Sequence, residues 1–220
     1  MQRQASVIER TRDHSLEVNK VLKNTYMLLG ATISFAAIVA YVAAVMNLPH
    51  PGFVITLVGF YGILFAIHKT QHSSASLFWT FFLTGFLGYT LGPILAFLSA
   101  NAPKILVQAL GGTGLIFFGL SAWVLTTKKD FTFLRSAIVA GFWVLLLSMI
   151  GAYAFEISGL ELAISVGFIA FASMFILYET SSIIRGGQTN YVLATVSLFV
   201  SLYNLFVSLI HLLLTFANDD

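Results

Sequence analysis

The chain reads as an all-α membrane protein, a bundle of seven transmembrane helices. Three observations carry that reading. Of its 220 residues 58% are hydrophobic, only 9% are charged where a water-soluble domain has about 25%, and the apolar residues gather into long uninterrupted runs. A helix rising 1.5 Å per residue needs about 20 apolar residues to cross a hydrocarbon core. A transmembrane barrel would instead show roughly ten-residue strands of alternating polarity. The runs do not alternate, so the fold expected is one helical domain whose main solvent is lipid, with loops too short to hold a second domain.

The elements follow in order. Residues 1–24 form a polar leader, with Arg3, Arg10, Arg12, Lys20 and Lys23 set against Glu9, Asp13 and Glu17. No apolar stretch of signal-peptide length precedes a cleavage site, so the leader is expected to be retained as a solvated, partly disordered tail. Leu16, Val18, Val21 and Leu22 begin the helix that enters the membrane. Spans are expected near 25–46, 51–68, 75–100, 104–126, 132–155, 160–184 and 190–217. Turn chemistry separates them: Asn47, Pro49 and Pro51; Lys69 through Ser74; Asn101 with Pro103; Lys128, Lys129 and Asp130; Glu156 to Gly159; and Arg185, Gly186 and Gly187. Glycines at 85, 88 and 92, ahead of Pro93, and at 111, 112, 114 and 119 suit close helix packing, and Pro93 should kink its helix.

Lys and Arg are distributed unequally. The leader's five, with Lys69, Lys128, Lys129, Arg135 and Arg185, fall on one face, and Lys104 stands alone on the other. By the positive-inside rule the N-terminus is cytosolic and residues 218–220 end on the far side. The basic residues form short separate clusters rather than a stripe, so nucleic acid is not an expected partner.

Glu179 is the one carboxylate deep within these apolar runs. An ionisable group at a helix centre costs roughly 2.5–3.5 kcal/mol on insertion scales and calls for a partner or a task. Glu179 lies six residues before Arg185, about 9 Å from the cytosolic end of the sixth span. Ser197 falls at nearly the same depth on the seventh. That last span carries Ser197, Ser201, Asn204, Ser208 and His211 at steps of four, three, four and three, which places all five on one helix face. Such a stripe either bonds neighbouring helices or lines a hydrated path, and lipid cannot satisfy it, so it should turn inward. Tyr178, Thr180, Ser181 and Ser182 add hydroxyls near the acid. Desolvation and hydrogen bonding pull the protonation of Glu179 in opposite directions; a proton-responsive gate and a permanently bonded structural acid both remain open. His68 and Lys69 could reach the same layer, or simply extend toward the interface.

Catalysis is not expected. Cys is absent, so thiolate chemistry and disulfides are excluded. No HExxH helix, phosphate loop or GxSxG elbow occurs, and an aspartyl dyad needs a second acid. No cofactor is implied.

The segments KVLKNTY (20–26), ITLVGFYGILF (55–65), TGFLGYTLGPIL (84–95), LGGTGLIFF (110–118), WVLTTKKDFTFL (123–134) and YETSSIIRGGQTNYVLATVSLFVSLYNLFVSL (178–209) resemble the Bax inhibitor-1 family across essentially the whole chain. The resemblance implies a bundle whose last helix is surrounded by the other six, and a bacterial inner-membrane location. It implies two functional themes. Some members are pH-sensitive calcium leak channels with an acid on each of the last two helices. Bacterial members are associated with the membrane-anchored AAA protease FtsH, as a substrate and as a restraint. In this chain the sixth-helix acid of the motif falls on Glu179, while its seventh-helix counterpart falls on Ser201, three residues before Asn204. Serine cannot ionise, so a shared-proton pair is impossible, and Ca2+, which takes six to eight oxygens, would find a poor site. A single-acid proton response stays open.

Overall fold

A computed structural model of the chain describes residues 2–155 and 159–218, with the backbone alone for 2–15, 153, 154 and 218. Seven helices follow one another: α1 (Gln2–Val45), α2 (Phe53–Lys69), α3 (Ala75–Asn101), α4 (Pro103–Thr127), α5 (Leu134–Phe155), α6 (Leu160–Ile184) and α7 (Tyr191–Asn218). Six of them contain stretches long and apolar enough to cross a membrane. The shorter α2 has 17 residues, the lower end of the spanning range. The turn expected at Glu156 to Gly159 lies outside the described residues apart from Gly159, as do Asp219 and Asp220.

The polar leader is a continuation of α1, helical from Gln2, where the sequence suggested a partly disordered tail. The other boundaries follow local chemistry. Asn47 at φ 49° and Gly52 at φ 88° turn the chain between α1 and α2, a backbone region that Asn and Gly enter at low cost. Pro103 occupies the first turn of α4, where its missing N–H removes nothing. α5 begins two residues later than the pattern suggested, because Asp130 Oδ1 accepts bonds from the Thr132 amide (2.9 Å) and hydroxyl (2.7 Å) and holds 130–132 in a turn. Asn190 caps α7, its Oδ1 accepting the amides of Val192 (2.9 Å) and Leu193 (3.3 Å), which satisfies two donors that the helix cannot.

The last helix is central, and its apolar span is the most buried of the six. It packs chiefly against α1, α3, α4 and α6, while α2 lies on α3 and α5 on α6. Leu198, Leu205 and Ile210 of α7 are fully buried, as are Leu83, Ile176 and Ile183 of its neighbours. The six surrounding helices therefore form an inner set of four and an outer pair.

The closest seam joins α1 to α3. A Cβ added at Gly85 would meet Phe35 Cε1 at 2.7 Å, one at Gly92 would meet Ala43 Cβ at 2.6 Å, and one at Gly88 would run into the Ala36 carbonyl oxygen. Small residues in register let two backbones approach, which is how helices gain packing where lipid offers no hydrophobic drive. The α4 glycines do not repeat this. Gly111, Gly114 and Gly119 have open space at the Cβ position, and Gly112 meets only Leu209 Cδ1 at 3.4 Å, because this face of α4 is not set against another backbone.

The seam is directly testable. Gly88→Val should destabilise the folded protein by about 1–3 kcal/mol or more, since the obstacle is backbone rather than a movable side chain. Gly30→Ala, with nothing within 4 Å, should be neutral or stabilising by about 0.5–1 kcal/mol. Thermal unfolding of both variants in one detergent measures the contrast, and equal stabilities would refute the seam.

Candidate functional site

Glu179 sits on the inward face of α6, in register with Ala172, Ile176 and Ile183, and is only 4% exposed. Its hydrogen-bond partner was not anticipated: Gln188 Nε2 donates to Glu179 Oε1 at 3.4 Å. Gly186, at φ 73°, folds the connection back, so that the amides of Gly187 and Gln188 both donate to the Ser182 carbonyl, at 2.9 and 3.2 Å. The returning loop hangs Gln188 over the end of α6. Gln188 Oε1 in turn accepts the Asn190 amide at 3.1 Å, so the acid is tied through one side chain to the cap of α7.

Beside this pair is a cavity of about 280 Å³. Gln188, Ser197, Ser201, Asn204 and His68 all line it, closed on the remaining sides by apolar residues that include Phe60 and Phe175. It fills the gap between α2 and the α6–α7 pair. Gln188 is the link between the acid and the upper part of the stripe, bonded to Glu179 and lining the cavity with Ser197, Ser201 and Asn204, whereas Glu179 itself is not a lining residue.

Other expected members behave differently. His68 is exposed at the rim and donates from Nδ1 to the Leu64 carbonyl at 2.9 Å; neither it nor Lys69 pairs with Glu179. α2 is held off α6 and α7 by the cavity, which accounts for the missing contact. The two hydroxyls that follow the acid, on Thr180 and Ser181, are engaged elsewhere. Thr180 shares a hydrogen bond with Tyr26 Oη at 3.4 Å. Ser181 Oγ accepts the Phe131 amide at 3.0 Å and donates to the Lys129 carbonyl at 3.3 Å.

The stripe does not turn inward along its whole length. Ser201 and Ser208 are buried and Ser197 and Asn204 half-buried, but His211 is exposed. Near His211 the bundle has tapered: Leu98 of α3 and Ile105 and Ala109 of α4 cover the Phe206–Ile210 face and leave the adjoining one open. Ser201 donates within its own helix, to the Ser197 carbonyl at 2.9 Å. Bonds from α7 to other helices come instead from Thr195, which donates to the Thr25 carbonyl at 3.2 Å, and from Tyr203, whose hydroxyl donates to Thr90 Oγ1 at 2.8 Å. Thr195 and Tyr203 stand off the stripe, so a search for periodic polar residues passes over them.

The loops at this end of the bundle are joined to one another. Arg185 Nη2 donates to the Lys128 carbonyl at 3.1 Å and Arg185 Nε pairs with Asp130 Oδ1 at 3.5 Å, while Asn190 Nδ2 reaches the Gln71 carbonyl at 2.9 Å. Connections α2–α3, α4–α5 and α6–α7 thus share one face, which brings Lys69, Lys128, Lys129 and Arg185 together. Among the described residues no cluster of three His, Asp or Glu side chains forms a metal site.

A polytopic helical bundle with a buried acid linked to a polar cavity at its basic end defines the class: a multi-pass membrane protein with no built metal centre among the described residues. The family model described as "Inhibitor of apoptosis-promoting Bax1" matches residues 18–218, and the chain belongs to that family, the Bax inhibitor-1 family. It is 50% identical over 210 residues, 95% of each chain, to the "Modulator of FtsH protease YccA" of Escherichia coli strain K12. The same similarity holds for a protein of a second Escherichia coli strain named "Inner membrane protein YccA". An uncharacterised protein of Pseudomonas aeruginosa is 49% identical over the full length of both chains.

The loop cap carries a titration test. The Thr132 amide, then its hydroxyl, and then the Arg185 charge hold the Asp130 carboxyl below its ordinary value of 3.8. A lowered folded value means that this stabilisation is fully present above the ordinary value and is lost as pH falls through the lowered one. A carbon-13 titration of the carboxyl in micelles should place it below 3.8, and Thr132→Val should move it upward. A value unmoved by that substitution would mean the hydroxyl bond to Asp130 is not formed in solution.

Proposed function

We propose that the chain is an inner-membrane protein that binds and restrains an FtsH-type AAA protease and is also degraded by it. The observation that carries this reading is the 50% identity, over 95% of both chains, with a relative named as a modulator of that protease. Two features support it. Ten of the eleven Lys and Arg residues belong to the leader and to the end where loops 70–74, 128–133 and 185–190 meet, and the positive-inside rule assigns that end to the cytosol. The leader, residues 1–24, belongs to the same end and offers a cytosolic ATP-driven protease a segment to grip. The bundle would supply the docking surface.

The reading is tested with purified full-length chain and an FtsH-type protease in one vesicle. Degradation of a second membrane substrate should slow as the chain is added. Removing residues 2–15 should leave membrane insertion intact and slow turnover of the chain itself. Turnover unaffected by the truncation removes the substrate role, and a second substrate cut at full rate removes the restraint.

A second reading is a proton or cation leak gated at Glu179. One observation favours it: a 280 Å³ cavity lined by His68, Ser197, Ser201 and Asn204 adjoins a buried acid. With Ser201 in place of a second acid, a calcium version has little support. Vesicles containing the chain should then pass protons at a rate that depends on pH, and Glu179→Gln should abolish that dependence. Absent flux, or flux indifferent to the substitution, rejects the gate.

A further inference from the structure

A second cavity, larger than the polar one, lies in the half of the bundle away from the basic loops and belongs to neither reading above. Its volume is about 610 Å³, within the range of small-molecule and cofactor sites. It opens between the second half of α1 and the first half of α4, beyond the point nearer the basic loops where the Tyr26 and Phe117 rings meet at 6.2 Å, while the second half of α3 and one face of α7 close its back. The space exists because α1 presents alanine here: Ala36, Ala37, Ala40 and Ala44 all line it. On the opposite wall stand Leu106 and Leu110.

Depth limits what can occupy it. The α1 lining runs from Ile33 to Asn47, fourteen steps or about 21 Å at helical rise, roughly half of a bilayer counted with its headgroups. One leaflet of hydrocarbon is about 15 Å, so the cavity extends from near mid-membrane to the far interface. Its mouth faces lipid, since Tyr41 is 69% and Leu110 55% exposed. Polar groups occupy the outer end, where Asn47 and Ser99 stand. At depth the Tyr203 hydroxyl is already satisfied by Thr90, so nothing there recruits a polar ligand. Water gains no partners in an apolar cavity, and an unfilled one forfeits dispersion contacts along its walls. Charge supplies the remaining constraint: Lys104, exposed in the first turn of α4 two residues before Leu106 and outside the lining, is the one Lys or Arg assigned to this end of the bundle.

We propose that this cavity is a phospholipid site: one acyl chain of a lipid in the leaflet opposite the basic loops enters between α1 and α4 against α3 and α7, and the lipid phosphate is held at the rim by Lys104, Asn47 and Ser99. An apolar occupant matches the walls, the cavity matches a single leaflet in depth, and the cation stands at the end where the headgroup would lie.

Native mass spectrometry of full-length chain extracted in mild detergent tests this. One phospholipid per chain should survive a detergent wash that strips surface lipid. The double substitution Ala37→Phe and Ala44→Phe fills the mouth and should abolish retention, whereas Ile38→Phe, on the exposed face of α1 outside the lining, should preserve it. Lys104→Gln should remove any preference for phosphatidylglycerol over phosphatidylcholine in vesicles containing both. A second measurement needs no substitution: phosphatidylglycerol with a nitroxide near the chain end should show one motionally restricted lipid per protein. A lipid-free wild-type chain, a filled variant that retains lipid as well as wild type does, or a bound prenyl quinone in place of phospholipid would each overturn the proposal. A headgroup preference unchanged by Lys104→Gln would overturn the phosphate contact.

Discussion

In a bilayer no water is available to a stranded polar group, so every hydrogen-bonding atom at depth must find its partner inside the protein. Glu179 makes that constraint severe, because a carboxylate facing acyl chains would cost several kcal/mol. The arrangement of the bundle follows from it. α7 carries the polar stripe and is enclosed by α1, α3, α4 and α6, and α6 turns the acid toward α7 instead of toward lipid. The α6–α7 turn then returns over the helix end and delivers Gln188 to the one carboxylate that needs it.

The same constraint explains which features could be read from the sequence. Helix number and order were legible because length and apolarity are properties of contiguous segments. Asn47 and Pro103 act locally, so the turns around them were legible as well. The inward placement of Glu179, Ser197, Ser201 and Asn204 followed from a periodic pattern combined with the cost of polarity in lipid. That logic weakens at a tapering end, which is why His211 is exposed although it continues the register.

What escaped the sequence depends on backbone path. Gln188 is one polar residue in a polar loop, and only the positive φ of Gly186 together with two amides converging on the Ser182 carbonyl aims it at Glu179. His68 sits at the expected depth on α2, yet α2 stands off α6 and α7 across a cavity, and depth alone could not reveal that lateral gap. Tyr203 and Thr195 supply the interhelical bonds that one of the two readings of the stripe gave to its serines. Each is isolated in the sequence and acquires its role from a residue more than a hundred positions away.

The two cavities place a condition on any transport role. The polar one is lined by α7 residues 193, 196, 197, 200, 201 and 204, and the apolar one by 199, 202, 203 and 206, so they lie on different faces of the same helix. Between those faces Leu198 and Leu205 are fully buried, and the Tyr203 to Thr90 bond fixes α7 to α3. A hydrated path from the basic end to the far end would have to displace this apolar layer or shift α7 as a whole. A modulator of a partner protein requires no such movement, because its docking surface can be complete in the packed bundle. The packing of α7 therefore sides with a binding role, and it makes a leak conditional on a rearrangement that breaks the α7–α3 bond.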